Sequence, residues 1–129
     1  MNSLKNERGQ SMVEFAIMLP LLILIVMGIL EFGMMMNSYL GINNAAREGA
    51  RLGIVGGTDT QIQNIILSTS PSLNSQYLTI VITPDNLSRK SGDTLKVTLH
   101  YNYHLTVPII SSLLNNLVLL NAETSMRVE

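Results

Sequence analysis

Few residues of this chain are of a type and spacing that do chemistry. His100 and His104 are its two histidines, and both fall in the alternating run TLKVTLHYNYHLTV, which reads as a strand. Residues four apart on a strand are separated by ~13 Å, whereas two ligands of one metal ion each lie ~2 Å from it. The pair cannot share an ion, and both side chains are predicted to face solvent. The absence of cysteine excludes a disulfide framework, a cysteine nucleophile and thiolate metal sites. No Ser/His/Asp set, glycine-rich phosphate loop or carboxylate pair stands out, and Asn86-Leu87-Ser88 matches a glycosylation acceptor by a pattern too short to be specific. The sequence thus predicts no catalytic residue, no metal and no cofactor, and hence no enzyme. A formal net charge of -1 leaves no electrostatic footprint for nucleic acid, and no small-molecule substrate is evident.

Two carboxylates stand out for their surroundings. Glu14 and Glu31 flank a run from Phe15 to Leu30 that holds no charged residue. Those positions span ~24 Å as a helix, and extension to Met36 gives ~33 Å, enough for the ~30 Å hydrocarbon core of a bilayer. A transmembrane helix over about 15–36 is therefore expected, with Glu31 near the outer interface and reaching headgroups or water, since that costs least. The apolar run continues past Gly28 into EFGMMMNSYLG with no A-x-A-like cleavage site, which favours a retained helix over a cleaved secretory signal. Lys5 and Arg8 precede the span and no basic residue follows it until Arg47, so the N-terminus is expected in the cytoplasm and the C-terminal part outside. Pro20 removes one backbone donor and predicts a kink or a melted turn. Gly28 and Gly33 loosen the helix further, and such flaws are tolerated in a helix that works inside a bundle.

The residues around Glu14 carry a specific pattern. In RGQSMVEF, Gly9 is followed by four residues, then Glu14, then Phe15 and the apolar run. This stretch resembles the class III signal of type IV pilins and pseudopilins. The resemblance implies that a prepilin peptidase cuts between Gly9 and Gln10 on the cytoplasmic side, removing a leader of residues 1–9 and making Glu14 the fifth residue of the mature chain. Such a cut removes Lys5 and Arg8 and creates a cationic α-amine at Gln10. An unpaired carboxylate in hydrocarbon costs ~2.5–3.5 kcal/mol on insertion scales. Pairing Glu14 with its own amine or with that of a neighbouring subunit offsets part of that cost, so Glu14 is expected to favour assembly of helices.

Beyond the span, Gly41, Ala45, Gly49 and Gly53 recur every fourth residue, a spacing that lets helices approach closely. Two uses stay open: packing on the chain's own outer part, or contact with another subunit. Arg47 and Arg51 are like charges four apart, and Glu48 can pair with Arg51 across one turn. Gly56-Gly57 ends the helix. A continuous helix from Gln10 to Val55 would be ~69 Å long, longer than a membrane is thick. The stretch Ala46-Arg47-Glu48-Gly49-Ala50-Arg51, following a Glu-Phe apolar helix, resembles the TadE-like family of the tight-adherence pilus system. The two motifs cover roughly the first half of the chain. The resemblance implies a pilin-like subunit, a minor pseudopilin, that helps assemble a thin adhesive pilus with other pilins, pseudopilins and the assembly machinery. A main filament subunit, a general-secretion pseudopilin and an uncleaved membrane-anchored binding module are the alternatives.

The remainder, 57–129, reads as a small extracytoplasmic domain. Thr58 with Gln61 fits a capping box, and Ile62, Ile65 and Ile66 mark one face of a short helix ending before Pro71. YLTIVIT reads as a strand with Leu78, Ile80 and Ile82 on one side. In the next run Leu95, Val97, Leu99, Tyr101, Tyr103, Leu105 and Val107 share a face, Pro108 ends it, and the preceding charges Arg89, Lys90 and Asp93 read as a solvated turn. Val118, Leu120, Ala122, Thr124, Met126 and Val128 give a third alternation. The expected fold is α+β: a long transmembrane helix over 10–56, then a short helix and an antiparallel sheet of about three strands.

Overall fold

The computed structural model describes residues 3–129, with the side chains of residues 7–129. Met1 and Asn2, the start of the expected leader, and the flanking Lys5 side chain lie outside the described residues. Seven elements follow in order: helix α1 (Ser3–Ile54), helix α2 (Asp59–Thr69), a 3-10 turn (Ser75–Tyr77), strand β1 (Leu78–Thr83), strand β2 (Thr94–His104), helix α3 (Pro108–Leu113) and strand β3 (Leu117–Arg127). The architecture is α+β, with one sheet face packed on the C-terminal half of α1 and on α2.

Helix α1 has 52 residues and spans ~78 Å. It runs through Pro20 without a break, so the expected melted turn is absent. Proline withholds one donor, here from the Ala16 carbonyl, and the turns on either side keep the helix intact. At its end, the Gly57 amide donates to the Leu52 carbonyl (3.1 Å) and the Gly56 amide to the Gly53 carbonyl (3.4 Å). This is a Schellman stop, and Gly56 takes the positive φ of 94° that it requires. Two residues later the capping box starts α2: Thr58 Oγ1 accepts from the Gln61 amide and Gln61 Oε1 accepts from the Thr58 amide.

The sheet is a meander in the order β1-β2-β3, all antiparallel. Its register aligns the apolar alternations, with Ile80 opposite Leu99 and Leu99 opposite Ala122. The inward row of β2, from Leu95 to Tyr103, is buried throughout and packs on Ile42, Ala45, Ala46 and Ala50 of α1 and on Ile62 and Ile66 of α2. β2 stops at His104, so Leu105 and Val107 lie beyond the strand they were assigned to. Pro108 does not merely end it: it opens α3 at the first helical turn, where a proline's missing donor is harmless. Asn115 and Asn116, both at positive φ, then turn the chain back into β3, a conformation asparagine adopts readily.

The small-residue stripe faces this core. A Cβ at Gly49 would sit 2.8 Å from Ile66 Cδ1, and one at Gly53 would collide with Leu95 and come within 2.9 Å of Ile62 Cδ1. Glycine there is what allows α2 and β2 to close on α1. Gly53→Val should therefore overpack the core and lower stability by about 1–3 kcal/mol, read as a fall in the thermal unfolding midpoint of the detergent-solubilised chain. An unchanged midpoint would mean that the two helices do not approach so closely.

Candidate functional site

Helix α1 is divided along its length. From Gln10 to Met27 every residue is exposed, and among the described residues none of these apolar side chains is covered by the rest of the chain. Those eighteen positions span ~27 Å, close to the thickness of a bilayer's hydrocarbon core. The outer domain first meets the helix at Gly28, where a Cβ would lie 3.9 Å from Ile110 Cδ1 of α3. Among the described residues one helix is apolar and long enough to cross a membrane, and the domain's contacts start at the far end of its bare stretch.

At the near end lie the residues of the expected processing site. The Gly9–Gln10 peptide is helical, and a Cβ at Gly9 would meet nothing within 4 Å. Gln10 Nε2 donates to Glu14 Oε1 at 3.1 Å, a pairing across one helical turn. Glu14 and Phe15 are both exposed. At the other end of α1, Gly41, Ala45, Gly49 and Gly53 turn toward Leu73, α2 and β2, while Arg47, Glu48 and Arg51 turn to solvent. Glu48 and Arg51 approach to 3.9 Å, an exposed pair worth little. The two groups of residues are therefore well separated: the processing end and the packed stripe share one helix but no contact.

Glu31 departs from the sequence expectation. It is 3 % exposed rather than reaching toward headgroups or water. Its carboxylate accepts from Tyr103 Oη at 2.9 Å, from the Thr106 amide at 3.1 Å and from the Val107 amide at 2.8 Å. The two amides stand at the exposed end of β2 just before α3, where neither sheet nor helix supplies an acceptor, and Val107 has no side-chain cap. Carboxylate and amides thus satisfy each other. The residues that carry this latch were visible as types, since Tyr103 is on the inward row of β2 and Pro108 interrupts the strand, but their meeting with Glu31 is a tertiary fact.

Arg89 departs as well. Its side chain is 5 % exposed, bridging Asp59 Oδ1 at 2.6 Å and donating to the Gly57 carbonyl at 2.9 Å. It fastens the β1–β2 loop to the turn between α1 and α2 instead of lying in a solvated turn. Asp85 in the same loop is held below the usual carboxylate range by hydrogen bonds from the Ser88 hydroxyl and amide. The histidines stay on the outward face: His100 Nδ1 bonds Asn121 Oδ1 at 2.6 Å, and His104 stacks on Tyr77 with ring centroids 4.1 Å apart.

Burial, and then the hydrogen bond to Glu31, pushes the Tyr103 phenol up to about 12 from its usual 10. The fold favours the neutral phenol, so its contribution is complete below pH 10 and is lost as pH rises toward 12. In an ultraviolet tyrosinate titration, one of the four tyrosines should ionise after the rest, and Tyr103→Phe should remove that late step. Glu31→Leu should leave two part-buried amides without their acceptor, at a cost of about 1 kcal/mol or somewhat more. Hydrogen exchange should then quicken at Thr106 and Val107; unchanged protection there would show that the latch does not hold the loop.

The family described as TadE-like protein matches residues 9–51. That stretch begins at the glycine of the expected processing site and ends at the last arginine of the Ala-Arg-Glu-Gly-Ala-Arg motif. No curated protein and no solved structure matches the chain. Residues 9–51, about a third of the chain, are similar to the TadE-like family, as the two motifs lead one to expect.

Proposed function

We propose that the chain is a minor pseudopilin that helps assemble a tight-adherence, type IV-like pilus used in surface adhesion. In this reading prepilin peptidase removes residues 1–9 at the cytoplasmic face of the membrane. Helix α1 then crosses the cytoplasmic membrane, and the domain from Gly57 onward stands outside, joining the other pilins and pseudopilins of the same pilus.

The observation that carries the reading is the bare first half of α1. Among the described residues, the segment from Gln10 to Met27 covers nothing else in its own chain, and Glu14 within it has the Gln10 side-chain amide as its one partner. In lipid, one neutral amide satisfies a carboxylate poorly. A cut after Gly9 would place a cationic amine at Gln10, one turn away from Glu14, and a neighbouring helix could bring a second. Polar groups of this kind are a driving force for helix association in membranes. The exposed Arg47, Glu48 and Arg51 are free to face another subunit.

Two results are expected. The chain recovered from cells should begin at Gln10 when the peptidase is present and at Met1 when it is deleted, by intact mass. A chain beginning at Met1 in both strains would leave an anchored binding module as the reading. Glu14→Ala should still fractionate with membranes but should fall by about tenfold or more in sheared pili, the scale of one unsatisfied carboxylate. Normal incorporation of that variant would remove Glu14 from assembly.

A further inference from the structure

Helix α3 and the start of β3 expose Ile109, Leu113, Leu114, Leu117 and Leu119, with Leu113 75 % exposed. So many adjoining apolar side chains on one small domain are a patch that needs an occupant. Three observations say which. The patch is continuous with the bare surface of α1, because Ile110 of the same short helix packs beside Gly28. Gly28 comes directly after the ~27 Å of uncovered apolar helix, so α3 lies level with the edge of the hydrocarbon core. The charge of the domain is also polarised along its length. No Asp, Glu, Lys or Arg occurs from Val97 to Ala122. The charged groups gather toward the other end, where Arg89 clasps Asp59 and Gly57 and the Glu129 amide reaches the Ile54 carbonyl. Glu31, whose carboxylate accepts from the Val107 amide just before α3, is sealed by its own chain.

We infer that the α3–β3 turn is a lipid-binding wedge: it sits in the outer leaflet of the bilayer that α1 crosses, with Leu113 at the boundary between headgroups and acyl chains. An apolar surface at that level enters the interface by ~5–10 Å. The uncharged, serine- and asparagine-rich frame around the leucines suits that boundary. Ser111 and Ser112 return their hydroxyls to the Pro108 carbonyl, so neither offers an unmet donor to the lipid. The wedge gives the domain a second foothold beside α1 and fixes its tilt on the membrane before any filament forms. This inference rests on the reading that α1 spans a membrane.

The chain has no tryptophan, so single substitutions give single fluorophores. The full chain is reconstituted in phosphatidylcholine vesicles, with and without lipids brominated near the headgroup end of the acyl chain. Leu113→Trp should emit to the blue of Leu87→Trp, whose site in the β1–β2 loop is 89 % exposed, and should lose intensity in brominated vesicles while Leu87→Trp does not. Leu19→Trp, at the middle of the span, reports the span itself by its quenching in a parallel set of vesicles brominated deep in the acyl chain. If Leu19→Trp is quenched and Leu113→Trp behaves like Leu87→Trp, the wedge is overturned and the span stands. If Leu113→Trp is blue-shifted but unquenched, with a shift that grows with the protein-to-lipid ratio, a second copy of the chain covers the patch and the wedge is again overturned. If Leu19→Trp is not quenched, the span falls and the wedge with it.

Discussion

Glu31 occupies the place where α1 passes from a surface with no protein around it to one covered by the outer domain, and a carboxylate there has few choices. It can reach water, find a cation, or be satisfied by its own chain. The third occurs: Tyr103, Thr106 and Val107 supply the donors. An acceptor left without donors in such a place would cost several kcal/mol, and leaving the two amides unpaired would add to that cost. Each half of the latch therefore requires the other. Because the amides lie at the junction of β2 and α3, the contact sets the height at which the sheet rides on the helix. It also fixes which residues of α1 remain uncovered.

From Gly28 to Ile54 the helix packs against its own domain on one side, and its sequence is built for that. The side turned to the sheet carries Ile42 and a series of Ala and Gly, while the bulk of the core comes from β2 and α2. Small residues on a helix do not stabilise by area; they stabilise by letting larger partners approach. Schellman stop, capping box and the Arg89 clasp then hold α2 antiparallel to the end of α1. The latch at Glu31 and the clasp at Arg89 fasten the domain at its two ends, and the apolar layer lies between them.

What could be read from the sequence is what depends on neighbours a few residues away. The alternation in TLKVTLHYNYH, the capping box at Thr58 and Gln61, and the stop at Gly56 are all local, and each appears where the pattern put it. Glu31 and Arg89 escaped because their partners are backbone groups and side chains distant in the chain, with no residue-type signature. Helix α3 escaped because PIISSL is too short to show a helical period. The stripe from Gly41 to Gly53 told of close packing without naming the partner, and the structure supplies α2 and β2.

The two carboxylates of the apolar helix thus have opposite situations. Glu31 is finished: its donors come from the same chain, and nothing about it asks for a neighbour. Glu14 is unfinished, with one side-chain amide from its own helix and no contact from the outer domain. Under the proposed assembly this difference directs association to one end of the molecule. A subunit whose outer half is already closed on itself gains little from exchanging those contacts, whereas the inner half gains a cation and a packing surface from a neighbour. The domain can then be carried through assembly as a rigid passenger, and the demand that draws subunits together stays inside the membrane.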